Sequence, residues 1–243
     1  LESGTVIKGK KGGDNDRSNE SLGWTLKTLR SEVRGTHYWS ATQGDLLVEL
    51  KIVWPKAYSD DPIMWSFQAD LEIEKLSQIQ HKGVQSVLEW GYDEAHLCWW
   101  VALEDVKGLT LRRIIGERAL TPADSRTLFL SLIEGLDFCH RQGIVHRHID
   151  PAHIMLTEDG AKLIHFQWPE EVRAGELAAA TALLRADDAS RRQKGPQYNL
   201  LPPEWLDGVD GDTYSDVYSL GACLLCAVSP EGQSWRDAPV ALQ

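Results

Sequence analysis

No apolar run in the chain approaches the roughly 20 residues that a membrane-spanning helix requires, so no span is expected. Basic residues are outnumbered: 25 Lys and Arg face 36 Asp and Glu, for a formal net charge of −11. Such a field repels phosphate, which argues against nucleic acid as a partner. Phenylalanine and methionine are scarce, at 4 and 2 residues, but there are 10 tryptophans and apolar residues make up 42%. That composition excludes a chain disordered throughout. Cysteine is limited to Cys98, Cys139, Cys223 and Cys226. The last two sit three apart in the apolar run Leu220-Gly-Ala-Cys-Leu-Leu-Cys-Ala-Val, which reads as helix core. A structural zinc site would need a second pair, and few, unpatterned cysteines favour a reducing compartment. No signal peptide is visible and the first residue is Leu1, so the chain reads as a piece of a larger protein on the cytosolic side.

Residues 1–23 are polar and rich in glycine and charge, and are expected to form a flexible leader. Residues 24–54 read as strands, including Leu46-Leu-Val-Glu-Leu-Lys-Ile-Val-Trp, which Pro55 ends. Residues 62–80 predict a helix with Phe67, Leu71, Leu76 and Ile79 on one side. Strand-like runs follow at Val84 to Trp90 and His96 to Leu103. Thr121-Pro-Ala-Asp is a helix start, with Thr121 as N-cap and Pro122 at the first position. Leu128, Leu132, Ile133, Leu136 and Cys139 recur at helical spacing behind it, and Gly143 supplies the stop. Thr157-Glu-Asp-Gly has the composition of a hairpin turn. Tyr214 to Val228 is nearly all apolar and predicts a buried helix. Strands first and helices later give an α+β class with two lobes, 24–106 and 107–243.

The segment Ile144-Val-His-Arg-His-Ile-Asp-Pro-Ala-His-Ile-Met-Leu, followed by Lys162-Leu-Ile-His-Phe-Gln, resembles the catalytic loop HRDxKPxNxxL and the DFG loop of eukaryotic-type protein kinases. Other marks fall in the same order. Val48-Glu-Leu-Lys51 stands where that family has VAIK, and Glu72 where it has the glutamate that pairs this lysine. Pro202-Pro-Glu204 resembles the APE motif, and Ser215-Asp216-Val-Tyr-Ser-Leu-Gly resembles the start of the long buried helix. The resemblance implies a two-lobed kinase-like fold with a small β-rich lobe and a larger helical lobe. It also implies that the large lobe is incomplete at its C-terminal end, so that Glu204 lacks its arginine partner. His146, Phe166 and Leu76 stand at packing positions of the family, and the counterpart of Asp216 holds the catalytic-loop backbone. Arg147 keeps the arginine of HRD.

The chemistry positions depart from the family. Its base aspartate is His148, its lysine Asp150, its metal-binding asparagine His153 and its metal-binding aspartate His165. Magnesium prefers carboxylate and carbonyl oxygens, and two imidazoles are poor replacements for those donors. The glycine-rich loop is reduced to Arg30-Ser-Glu-Val-Arg-Gly35, which retains one glycine and places Glu32 where phosphates would lie. Glu49 replaces the alanine that faces adenine and is costly there unless paired. Lys51 and Glu72 remain and are expected to be structural.

These departures predict a catalytically inactive scaffold (a pseudokinase) that is not an enzyme, binds another protein or another domain of the same polypeptide, and needs no cofactor, with ATP not expected. The alternatives are a zinc site built from His148, Asp150, His153 and His165, an atypical enzyme using that histidine-lined cleft, or residual phosphotransfer. Thr181, Ser190 and Tyr198, near Arg191 and Lys194, are candidate regulatory phosphosites. The tryptophans are too many for all to be core, which points to interface anchors.

Overall fold

The computed structural model describes residues 1–11, 23–33, 35–57, 59–117, 119–167, 202, 204 and 211–228. It divides into two compact units: residues 1–80 with 85–106, and residues 81–84 with 107–243.

The first unit is a seven-stranded sheet in the order β1-β3-β4-β5-β7-β6-β2. Its strands are β1 (Val6–Ile7), β2 (Lys10–Lys11), β3 (Trp24–Val33), β4 (Thr36–Gln43), β5 (Leu46–Val53), β6 (Val87–Asp93) and β7 (Cys98–Glu104). Every neighbouring pair is antiparallel. From Val48 to Val53, β5 is buried at every residue, the mark of a strand covered on both faces. Ile7, Trp24, Leu26, Trp39, Leu50 and Trp100 form the core of this unit.

Part of the expected leader is therefore sheet. Ile7 is fully buried, and β2 pairs with β6. Gly9 explains how the chain gets so close: a Cβ there would sit 2.0 Å from the Tyr92 carbonyl oxygen, so only glycine fits. A reading based on polarity alone missed this, because two-residue edge strands are held by backbone bonds rather than by an apolar pattern.

Helix α1 (Pro62–Ser77) begins at Asp61, whose side chain accepts the Met64 N–H, with Pro62 at the first position. The helix was expected, but its inward face was not. Trp65, Ala69 and Ile73 are buried, while Phe67 and Leu71 are 62% and 44% exposed. Stripes starting two residues apart lie on nearly opposite sides of a helix, and the one carrying Trp65 turns inward.

The described tryptophans are likewise core rather than interface anchors. Trp24, Trp39, Trp65, Trp99 and Trp100 are buried. Trp54 and Trp90 are half-buried and donate their indole N–H to His96 O (3.2 Å) and Asp70 Oδ1 (3.1 Å). Trp168, Trp205 and Trp235 lie outside the described residues.

The second unit carries a small sheet, β8 (Leu109–Thr110), β9 (Ile154–Thr157) and β10 (Gly160–Leu163), ordered β10-β9-β8. Among the described residues its helices are α2 (Leu111–Ile115), α3 (Pro122–Arg141) and α4 (Thr213–Val228). Thr121 Oγ1 accepts the Asp124 N–H at 3.1 Å, and α3 stops before Gly143, whose φ of 72° is left-handed. Leu132, Leu136 and Cys139 face inward as the spacing predicted, but Ile133 is half exposed. Leu132 and Leu136 pack with Leu111, Phe129, Ile154, Leu163, Leu220 and Cys223. All four cysteines are free, buried thiols. Among the described residues no helix is long and apolar enough to cross a membrane.

Candidate functional site

The loop between α3 and β9 carries the motif residues, and one buried carboxylate fixes it. Asp216, near the start of α4, accepts the His146 N–H at 2.7 Å through Oδ2 and the Arg147 N–H at 2.9 Å through Oδ1. It also meets His140 Nε2 at 2.9 Å. This is the backbone-holding role that the resemblance assigned to Asp216. Bonds of this kind to a charged acceptor contribute about 1.5–3 kcal/mol each. They help hold Arg147 at φ 66°, a left-handed conformation that costs a non-glycine residue about 1–2 kcal/mol.

His146 is fully buried and donates Nε2–H to the Ile164 carbonyl (3.1 Å), so Nδ1 faces the His148 N–H at 3.3 Å. Phe166 packs on its ring, with centroids 4.3 Å apart. Burial, reinforced by the neighbouring imidazoles, holds the His146 pKa well below the ordinary histidine value. Arg147 reaches the Val145 and Gln167 carbonyls at 3.3 Å, which ties the loop to the stretch after Phe166.

Asp150 is the second organising carboxylate. Its Oδ1 accepts the Ala152 N–H (2.6 Å) and the His153 N–H (3.1 Å) and lies 2.9 Å from His153 Nδ1. Its Oδ2 accepts from Arg112 at 2.9 Å. Burial pushes the carboxyl up, but the His153 hydrogen bond, the neighbouring His153 and His148 rings and the Arg112 guanidinium outweigh that and hold it well below the usual carboxylate range. The His148 and His153 rings lie 4.4 Å apart between centroids. Burial, then repulsion from His153, pushes the His148 imidazole down to about 3. His165 sits 5.7 Å from His153, ring to ring, with φ at 62°. His148, Asp150 and His153 thus converge, with one ligand atom from each within 4.8 Å of the others, while His165 stays outside that group.

Two expectations about partners change. Glu204 was expected to lack a partner, but the Ser215 hydroxyl donates to it. Glu49 is not an unpaired charge: Gln85 Nε2 donates to it at 3.0 Å and Arg30 approaches to 3.5 Å. Glu32 likewise meets His37 at 3.4 Å. Gly35, the surviving glycine, is left-handed (φ 80°) between β3 and β4. Lys51 is buried on β5, and Glu72 and Leu76 are half-buried on α1, all in the first unit. Thr181, Ser190, Arg191, Lys194 and Tyr198 lie outside the described residues.

Neither Arg112 nor His140 carries a local signal in the sequence. They lie 38 and 76 positions from the carboxylates they meet, and each comes from a helix whose packing brings it there.

The magnesium that phosphoryl transfer uses in this fold would have to be held by His153 and His165. Both offer nitrogen, and His153 Nδ1 is already engaged by Asp150. These residues do not fit a hard, oxygen-seeking ion.

This arrangement of loop, sheet and helix is that of the protein kinase domain, and the protein kinase domain family matches residues 48–237, so the chain belongs to that family. It is 28% identical over 207 residues to the probable serine/threonine-protein kinase PknB of Bifidobacterium longum, covering 80% of this chain and 28% of that protein. With the serine/threonine-protein kinase PknL of Mycobacterium tuberculosis it shares 28% over 179 residues, covering 73% of this chain and 41% of that one. Against the PknB of Mycobacterium tuberculosis the identity is 30% over 176 residues, covering 70% and 26%. The chain therefore spans less than half the length of these relatives. The kinase domain of Mycobacterium tuberculosis PknI superposes with a TM-score of 0.64 at 18% identity, covering 94% of this chain and 77% of that one.

These matches overturn the expectation of a catalytically inactive, non-enzymatic scaffold, because the relatives just described are named as serine/threonine-protein kinases. Physically, that expectation weighed the loss of two oxygen donors for magnesium, at positions 153 and 165, above the proton acceptor that an imidazole still offers at position 148.

Proposed function

We propose that the chain is the transferase domain of a serine/threonine protein kinase. It moves a phosphoryl group from a nucleoside triphosphate to a protein hydroxyl, with His148 in place of the base aspartate. The state of His148 carries this reading. Burial, then repulsion from His153, pushes the His148 imidazole down, so it is neutral and carries a lone pair that can accept a hydroxyl proton. In a loose phosphoryl-transfer transition state the base mainly orients the hydroxyl and takes its proton late, which a weak, well-placed acceptor can do. Placement comes from Asp216, which holds the two residues just before His148. The names of the relatives support the same reading.

The pairing of Glu49 with Gln85 and Arg30 supports nucleotide binding in place of the earlier expectation against ATP. The partner under this reading is a protein acceptor. Four buried free thiols and the need for a nucleoside triphosphate fit the cytosolic side of a larger protein.

The test is transfer of labelled γ-phosphate from ATP to a serine- and threonine-containing peptide library, with Mg²⁺ or Mn²⁺ present. Incorporation is expected, and His148→Ala should lower its rate about 100-fold or more. No incorporation above a protein-free control, or full activity in His148→Ala, overturns the reading.

A further inference from the structure

We propose that His148, Asp150 and His153 form a binding site for a transition-metal dication of the Zn²⁺ class, and that the bound ion withdraws His148 from phosphoryl transfer. The consequence for activity rests on the function proposed above; the metal site itself does not.

The donor set is two imidazoles and a carboxylate, all from one short loop, with one ligand atom from each within 4.8 Å of the others. Zinc sites that keep an open position for water use three protein ligands of this kind. Metal–ligand bonds of about 2.0 Å in a tetrahedron put neighbouring ligand atoms about 3.3 Å apart. His153 Nδ1 and Asp150 Oδ1 are already 2.9 Å apart. A metal entering between them displaces the Nδ1 proton of His153, which is regained at Nε2 through exchange with solvent, so the ring stays neutral and only its tautomer changes. The His148 ring, 4.4 Å from that of His153 between centroids, needs little movement to complete the set. Its side chain makes no hydrogen bond among the described residues, so coordination breaks none of those.

The surroundings are those of a supported site. Arg112 donates to the far oxygen of Asp150 at 2.9 Å and fixes the plane of the carboxylate. Asp216 fixes the backbone that precedes His148. The same donors that fail magnesium suit a borderline ion, because imidazole nitrogen is a preferred zinc ligand and a poor magnesium one. A metal-bound His148 has no lone pair left for an acceptor hydroxyl, so occupancy and transfer exclude each other.

The experiment uses the full chain, purified without a histidine tag and stripped with a chelator. Zn²⁺ alone is titrated by calorimetry, and Co²⁺ by visible absorption, which reports a tetrahedral shell. One equivalent of metal is expected to bind, weakened about 10-fold or more in His148→Ala and in His153→Ala. Thermal unfolding of the metal-free variants checks that both fold; if either does not, the stoichiometry and Co²⁺ spectrum of the unaltered chain decide. No stoichiometric binding, an octahedral Co²⁺ spectrum, or binding unchanged in both folded variants overturns the site. Phosphotransfer is measured separately on stripped protein in excess Mg²⁺, then with one equivalent of Zn²⁺ added. Loss of transfer on adding zinc supports the switch, and unchanged transfer by a zinc-loaded protein refutes it. If zinc binds but stripped protein transfers nothing, the function proposed above fails and the metal site stands.

Discussion

Replacing Asp216 with asparagine removes one of the two carboxylate oxygens that hold the catalytic-loop backbone. Oδ2 serves the His146 N–H at 2.7 Å and His140 at 2.9 Å, while Oδ1 serves the Arg147 N–H at 2.9 Å. Asparagine keeps a single acceptor oxygen and presents an NH₂ group at the other site. Whichever way the amide turns, one buried backbone N–H faces another donor. An unsatisfied buried donor costs about 1–3 kcal/mol. At about 1.4 kcal/mol per factor of ten, hydrogen exchange of that amide should quicken roughly 5- to 150-fold. The assay is native-state exchange by NMR, resolving His146 and Arg147 separately. One of the two should lose protection in Asp216→Asn, and both in Asp216→Ala. If both amides in Asp216→Asn stay as protected as in the parent chain, Asp216 does not hold the loop, and the placement of His148 needs another cause.

Asp93 supports a test of pH dependence away from the site. It is 2% exposed and accepts from the Lys8, Ala95 and His96 amides, each at 2.9 Å, and pairs with the His96 ring. Burial pushes its pKa up, but the His96 ring and the Lys8 and His96 amides outweigh this and hold it below the ordinary value. A depressed folded pKa stabilises above the unfolded value of about 3.9 and is lost as pH falls below it. Unfolding of Asp93→Asn followed from pH 6 to pH 3 should lose less stability than the parent, and parallel curves would count against the pairing. Thr121→Ala removes the cap of α3 at a cost of about 1 kcal/mol, which is a Tm drop of roughly 2–4 °C in a domain of this size; an unchanged Tm would show that the cap contributes nothing. Cys98 and Cys139 are pushed up to about 12 and Cys226 to about 11, chiefly by burial. A thiol reagent at neutral pH should therefore label none of the four in native protein and all four after unfolding, and fast native labelling would contradict their burial.

Much of the fold was legible because its signals are local. Thr121 and Pro122 announce α3, and Thr157 to Gly160 announces the turn between β9 and β10, where Gly160 adopts φ 134°. The order of the kinase motifs placed His146, His148, Asp150 and His153 in one loop. The inward face of α1 was not legible in this way, because apolar residues occupy opposite sides of that helix and only the sheet beneath decides between them. Nor were Arg112 and His140, since a partner 38 or 76 positions away leaves no periodicity to read. Glu49 failed for the same reason: its acid was visible at once, but the Gln85 that satisfies it lies 36 positions on.

The substitutions at the four chemistry positions look like the dismantling of an electrostatic site, but the charge count says otherwise. The family's Asp, Lys, Asn and Asp carry one net negative charge. With imidazoles counted as neutral, His148, Asp150, His153 and His165 also carry one. That charge has moved from the base and metal positions to position 150, where two backbone amides, His153 and Arg112 absorb it. The carboxylates that would otherwise repel an incoming triphosphate, and that magnesium would have to shield, are gone from positions 148 and 165. What has changed is the kind of donor rather than the amount of charge. Oxygen has become nitrogen at positions 148, 153 and 165, and donor type decides which cation the loop can hold.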